Sequence, residues 1–217
     1  MNLSIIIPAY NPPTTFSSLI KSINKITPNA IIIIDDGSTP KINIEHSSVV
    51  VLRNTQNKGK GYSLIKGFKY AEKEGYTHAI TIDADSQHDP ESIISFLEFD
   101  KNISLVLGTR NFTTDMPIHR RISNTLTSYI ISFLCGQTVI DSQCGYRRYI
   151  LKDVCSESFK EKGFQFESEV LIKLLRNNCT HENLEIPTIY SNENSSINNI
   201  NDTFKFIRLI LRNIFKD

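Results

Sequence analysis

The chain has 217 residues, 40% of them hydrophobic and 22% charged, and a formal net charge of +1. That length and hydrophobic fraction suit one domain with a substantial core, and the near balance of charge supplies no global field for nucleic acid. Its four cysteines, Cys135, Cys144, Cys155 and Cys179, form no C-x-x-C pair and lack the close histidines of a zinc site, so they read as reduced structural thiols.

The first apolar run, Leu3 to Ala9, has no basic leader and is broken by Pro8, which suits a buried strand and not a signal peptide. Short runs rich in β-branched residues recur at Ala30–Ile34, Val49–Leu52, Ala79–Ile82 and Ile103–Leu107. Their apolar character is continuous, which predicts strands covered on both faces in a mostly parallel sheet. Between them, Phe16, Leu19, Ile20 and Ile23, then Leu64, Phe68 and Ala71, then Ile93, Ile94 and Leu97, fall at helical spacing. Pro90 and Glu91 suit the first turn of the third helix. Strand and helix alternate to about residue 110, which predicts a doubly wound α/β half.

The second half reads differently. Met116 to Gly136 is a helical stretch with a basic start, residues 137 to 150 are polar, residues 164 to 177 are helical, and Glu185 to Tyr190 is a short strand. Asn192 to Asn201 is a polar loop, followed from Asp202 by a basic helix with Phe204, Ile207, Leu211, Ile214 and Phe215 on one stripe. That stripe suits either a membrane interface or packing on the domain. Residues 1–200 are expected to form one domain, with 201–217 as an appended amphipathic helix. No apolar stretch approaches the roughly 20 residues that span a bilayer, so the expectation is a cytoplasmic protein, peripheral on a membrane.

In an open α/β sheet the ligand lies beyond the carboxyl ends of the strands. Here those ends carry Pro8-Ala9-Tyr10-Asn11, Asp35-Asp36-Gly37-Ser38, Asp83-Ala84-Asp85-Ser86-Gln87-His88-Asp89 and Gly108-Thr109-Arg110. Asp83 and Asp85, two apart at a turn, can share one hard cation that keeps sites open for phosphate oxygens. An EF-hand is excluded, because His88 and Ile94 stand where that loop needs Gly and Glu. A dinucleotide fold is excluded by the absence of G-x-G-x-x-G after the first strand. A sugar nucleotidyltransferase would need a Gly-rich phosphate loop there, and none is present.

Taken in order, P-A-Y-N, D-D-G-S, N-x-G-K-G (Asn57 to Gly61), D-A-D-S-Q-H-D-P, G-T-R and D-S-Q-C-G-Y-R (Asp141 to Arg147) resemble glycosyltransferase family 2. The likeness is greatest to dolichyl- and polyprenyl-phosphate hexose synthases with a GT-A fold. It implies an inverting hexosyltransferase using a GDP- or UDP-hexose and Mg²⁺ or Mn²⁺. It places Tyr10 and Asp35 or Asp36 around the base and ribose and Asp83, Asp85 and Gln87 at the metal, and the candidate nucleotide-sugar set is Pro8, Tyr10, Asn11, Asp35, Asp36, Lys60, Asp83, Ala84 and Asp85. Asp85, Arg110, Asp141 and Glu167 become the catalytic candidates.

Three points stay open on the residues alone. Lys58 and Lys60 either approach phosphate at a helix N-terminus or lie solvated on a Gly-rich turn. Glu167, Glu169 and Asp141 are the acids able to act as a base toward a hydroxyl acceptor, whereas a phosphate acceptor, with a second pKa near 6, needs none. Arg110, with Arg120 and Arg121 beside the apolar Ile122, Leu126, Ile130 and Phe133, suits a lipid phosphate. The alternatives are a family 2 enzyme acting on a saccharide or lipid hydroxyl, and a nucleotide-sugar-binding domain without turnover. One departure from the family pattern is Pro12, where Glu is usual after P-x-Y-N.

Overall fold

Seven strands form one sheet in the order β3-β2-β1-β4-β6-β5-β7 in the computed structural model, which describes residues 1–110, 118–187 and 199–214. β1 (Leu3–Ala9) lies between β2 (Ala30–Asp35) and β4 (His78–Thr81), β3 (Val49–Arg53) flanks β2, and all these pairings are parallel. The isoleucine runs of β1 and β2 are buried throughout. Because successive side chains leave opposite faces of a strand, they feed two cores. Ile6, Ile32 and Ile34 meet Leu64, Phe68 and Ala71 of α2 (Lys60–Lys73), while Ile5, Ile7, Ile31 and Ile33 meet Phe16, Leu19, Ile20 and Ile23 of α1 (Phe16–Ile26). Burying each such side chain contributes about 2 kcal/mol. In α3 (Ser92–Glu98) the core face is Ile93 and Phe96, and Ile94 turns outward.

β5 (Leu105–Arg110) runs three residues past its expected end, because β7 (His181–Ile186) pairs with it in parallel as far as Arg110 and Ile186. β7 therefore lies earlier than the expected Glu185–Tyr190, and residues 188–190 of that expectation fall outside the described residues. β6 (Arg147–Ile150) is antiparallel to both β4 and β5 and lies in a stretch expected to be merely polar. Two adjacent arginines hide the strand, since Arg147 and Arg148 are fully buried. Arg147 donates to the carbonyls of Ser142, Cys144 and Glu167, and Arg148 to those of Phe96, Phe99 and Asp100 at the end of α3. Buried cations persist when backbone oxygens replace water in this way.

After β6 come α5 (Leu151–Cys155) and the largely buried α6 (Phe166–Arg176). α4 (Ile118–Cys135) and α7 (Asn199–Ile214) both pack on α6. α7 inserts Leu209 and Ile210 into the same core as α2 and ties Arg212 to Glu161 and Glu169. Phe206 packs partly buried against that core, while Phe204, Ile207, Leu211 and Ile214 remain exposed, and the expected stripe residue Phe215 lies outside the described residues. No described helix is long and apolar enough to cross a membrane.

Candidate functional site

Parallel strands β1, β2 and β4 end at one edge of the sheet, where no further pairing consumes their polar residues. β6 runs the other way, with Arg147 opposite Thr81 and Leu107, so the residues before it arrive at that same edge. The antiparallel strand thus brings Asp141 to Gly145 toward the loop carrying Asp83 and Asp85. Thr81 Oγ1 donates to the Gly145 carbonyl at 2.6 Å and locks the two together.

On the β1–β2 side, Pro8 is half-buried and Tyr10 is exposed, with a ring available for stacking. Asn11, at φ 44, receives the Thr39 N–H on its Oδ1 and donates its own N–H to Ser38 Oγ. Asp35 and Asp36 point inward. Asp35 accepts from Ser38 N, Ile42 N and the Arg53 guanidinium. Burial alone would raise its pKa, but these donors outweigh that and lower it. Asp36 accepts from Asn54 Nδ2 at 2.7 Å, Lys58 N at 3.0 Å and Gly59 N at 2.8 Å. Both carboxylates are 3% exposed or less, so they shape the loops around the expected nucleotide pocket. Arg53, opposite Asp35 in the β2–β3 register, was not among the expected site residues, although a cation ending the neighbouring strand was its available signal.

The acidic loop behaves differently. Asp85 Oδ1 accepts the Gln87 N–H at 3.0 Å in an Asx turn, Ser86 takes φ 60, and Ser86 Oγ meets Thr15 Oγ1 at 3.1 Å. Asp83, Ala84, Asp85 and Gln87 all stay partly open to solvent. Lys60, first residue of α2, sends Nζ to Asp83 Oδ1 at 2.6 Å and to Glu167 Oε1 at 2.8 Å. Burial alone would lower the Lys60 pKa, yet the two carboxylates raise it well above the ordinary value. Burial would likewise raise Asp83, and the Lys60 ammonium lowers it. All three groups meet over Gly145, where an added Cβ would lie 2.6 Å from Glu167 Oε1 and 2.8 Å from Asp83 Oδ2. This anionic cradle already holds one cation, and its hard oxygens suit Mg²⁺ or Mn²⁺. Among the described residues no three His, Cys, Asp or Glu side chains converge to hold an ion alone, so a cation here needs further oxygens, which a diphosphate carries.

On the β5 side, Arg110 grips the fully buried Asp141 through Nε at 2.7 Å and Nη2 at 2.9 Å. Burial opposes both charges, but the pairing raises the arginine pKa and lowers the aspartate's. Gln143 N closes an Asx turn on Asp141 Oδ1. Glu169 faces away, accepting from Lys160 N, Glu161 N and Arg212. His88 was set aside in the sequence as an EF-hand mismatch. It is buried against the Tyr146 ring at 5.2 Å, and its Nδ1 has no hydrogen-bond partner among the described residues. Burial, aided by Arg110 and Lys60 against the partial opposition of Asp83 and Asp141, lowers its pKa to about 4, so the ring is neutral near pH 7. Arg121 is exposed at the start of α4, and the Arg120 side chain lies outside the described residues. Further along α4, Ile122, Leu126, Tyr129 and Phe133 are exposed.

A mostly parallel sheet with this acid-bearing edge defines a GT-A transferase fold. Residues 4–159 match the family described as Glycosyl transferase family 2, and the chain belongs to that family. A UDP-N-acetylglucosamine–dolichyl-phosphate N-acetylglucosaminyltransferase of Methanococcus voltae is 32% identical, over 86% of this chain and 85% of that one. An undecaprenyl-phosphate mannosyltransferase of Micrococcus luteus is 26% identical over 81% of this chain and 79% of its own. The glucosyl-3-phosphoglycerate synthase of Mycobacterium tuberculosis, solved with Mn²⁺, UDP and phosphoglyceric acid, superposes with a TM-score of 0.72. It covers 98% of this chain and 77% of that one at 16% identity, a likeness of fold.

Proposed function

We propose that the chain moves a hexose from a nucleotide-diphosphate sugar to a polyprenyl phosphate, with inversion at C1 and dependence on a divalent cation, at the cytoplasmic face of a membrane. The observation that carries this reading is that both leading candidates for a general base are already paired with cations, Asp141 with Arg110 and Glu167 with Lys60. A hydroxyl acceptor must lose a proton as it attacks, whereas a phosphate monoester arrives with its nucleophilic oxygen largely ionised. The relatives that act on dolichyl and undecaprenyl phosphate support the same acceptor class.

In this reading Tyr10 stacks on the base, while Asp35 and Asp36 keep the pocket's loops in shape and Asn11 brackets them. Asp83, Asp85 and Gln87 hold Mg²⁺ or Mn²⁺, which neutralises the charge growing on the departing diphosphate. Lys60 lies beside Asp83, within reach of the same diphosphate. Arg110, pre-oriented by Asp141, presents donors to the acceptor phosphate, and Arg121 with Arg120 adds charge at the mouth. The exposed apolar residues of α4 and α7, rimmed by Arg121, Lys205 and Arg208, suit contact with an anionic lipid surface. Four cysteines without disulfides suit a reducing compartment.

The test is a donor screen with labelled UDP- and GDP-sugars, UDP-N-acetylglucosamine first, against a short polyprenyl phosphate, with and without Mn²⁺. A metal-dependent, organic-extractable glycolipid is expected. Preference for a soluble saccharide would overturn the acceptor and return Glu167 or Asp141 to the role of base.

A further inference from the structure

The Lys60–Asp83–Glu167 cluster holds more than a donor contact requires. An ammonium at a diphosphate needs freedom to reach its oxygens, yet here Nζ lies 2.6 Å from Asp83, an acid assigned above to the metal, and 2.8 Å from Glu167. Its root is rigid: Gly59, at φ 97, is pinned through its N–H to Asp36, and Tyr62 N donates to Lys162 O at 3.1 Å. Only the four-carbon stem can move. Gly145 forms the floor beneath all three groups, and any side chain there would strike each of them. The ammonium and a divalent cation therefore contend for the same carboxylate, and two cations sharing Asp83 Oδ1 repel each other strongly in so enclosed a place.

We propose that Lys60 is a built-in competitor of the divalent cation for Asp83, and that Glu167 is the counter-ion that receives the lysine when the cation takes its place. In the free protein Lys60 neutralises Asp83 and keeps metal affinity low. A donor diphosphate arriving with the metal gives the displaced ammonium a second anionic partner, so metal and donor bind together far better than either alone. Glu167 is then a positioning residue acting through Lys60. This rests on the donor site proposed above.

Mn²⁺ binding to the full chain, followed by the electron paramagnetic resonance of free Mn²⁺ and by calorimetry, with and without UDP or GDP, tests it. Lys60→Met should bind Mn²⁺ at least tenfold more tightly than wild type without nucleotide, and should lose most of the tightening that nucleotide produces. Lys60→Arg, which keeps the charge, should retain weak Mn²⁺ binding. Glu167→Gln should weaken nucleotide-free Mn²⁺ binding severalfold, and this effect should vanish in the double variant Lys60→Met/Glu167→Gln. Should Lys60→Met fold poorly alone, its Mn²⁺-induced rise in Tm, larger than that of wild type, is the equivalent readout. Unchanged or weaker Mn²⁺ binding by Lys60→Met overturns the proposal, as does a Glu167→Gln effect of equal size in both backgrounds, the mark of a general field. Failure of the wild type to bind Mn²⁺ with either nucleotide would instead overturn the donor site itself.

Discussion

Two acid pairs follow two parallel strands of the same sheet, and the structure uses them in opposite ways. Asp35 and Asp36 end β2 with their oxygens turned inward onto Ser38, Ile42, Arg53, Asn54, Lys58 and Gly59. Asp83 and Asp85 follow β4, stay partly open, and share their neighbourhood with the Lys60 ammonium. The difference lies in the donors that reach each pair. Gly37 at φ 84 turns the first loop back so that Ser38 N and Ile42 N reach Asp35, while Asp36 takes its backbone N–H donors from Lys58 and Gly59 in the loop after β3. The second loop is drawn outward to α1 through Ser86 and Thr15, and the Gln87 N–H closes on Asp85. Acids at strand ends are therefore either closed on their own loops or left open to solvent, and the donors that surround them decide which.

Asp85→Asn tests the open pair most severely. Transfer should fall by about 10³-fold, roughly 4 kcal/mol of transition-state stabilisation. The Tm should stay close to wild type, because the amide oxygen can still accept the Gln87 N–H. Assay of the glycolipid product beside a thermal melt checks both halves, and a variant that retains Mn²⁺-dependent activity would remove Asp85 from the site.

Asp36→Ala tests the closed pair and should show the reverse pattern. Three donors lose their acceptor, at a cost of about 3 kcal/mol, or roughly 6–12 °C in Tm. Mn²⁺ binding at low temperature should persist. A variant with wild-type Tm and lost nucleotide affinity would show instead that Asp36 touches the donor directly.

His88, between the open acids and Tyr146, supplies a pH test. Its folded pKa, lowered to about 4, lies below the ordinary 6.5. The stability it contributes is thus complete above pH 6.5 and is lost as the pH falls toward 4, because the unfolded chain takes up the proton first. The loss approaches 3 kcal/mol, on the order of two pKa units. Denaturant midpoints measured from pH 7 to 4 should decline less steeply in His88→Gln, and parallel slopes would refute the burial argument.

The smallest effect is expected at Arg53, whose side chain is 39% exposed on its pair with Asp35. Arg53→Met should cost about 1 kcal/mol, diminishing in high salt. Asp35 keeps its backbone donors in that variant, so a loss as large as that of Asp36→Ala would mean that the guanidinium and not the backbone holds the loop. Urea unfolding at two ionic strengths separates these outcomes.

Much of this protein is legible without coordinates, for physical reasons that can be named. Short, β-branched isoleucine runs suit strands covered on both faces, so β1, β2 and a mostly parallel sheet are expected from the residues themselves. The helical spacing of Phe16, Leu19, Ile20 and Ile23 likewise fixes the face that α1 buries. The motif order identifies the family, because local loop chemistry is written in consecutive residues. Tertiary structure alone decided the rest. β6 was hidden because its two arginines are buried by carbonyls from α3, α6 and the 142–144 segment, partners far apart in sequence. The exposed stripe of α7 could not be told from its packing stripe, since both are apolar and only α6 distinguishes them. Nor could the residues show that Lys60, Asp83, Glu167 and Gly145 converge, because they belong to four separate segments. Whether a carboxylate closes on its own loops or stays open depends on which donors lie within about 3 Å of it, and that is a property of the folded chain.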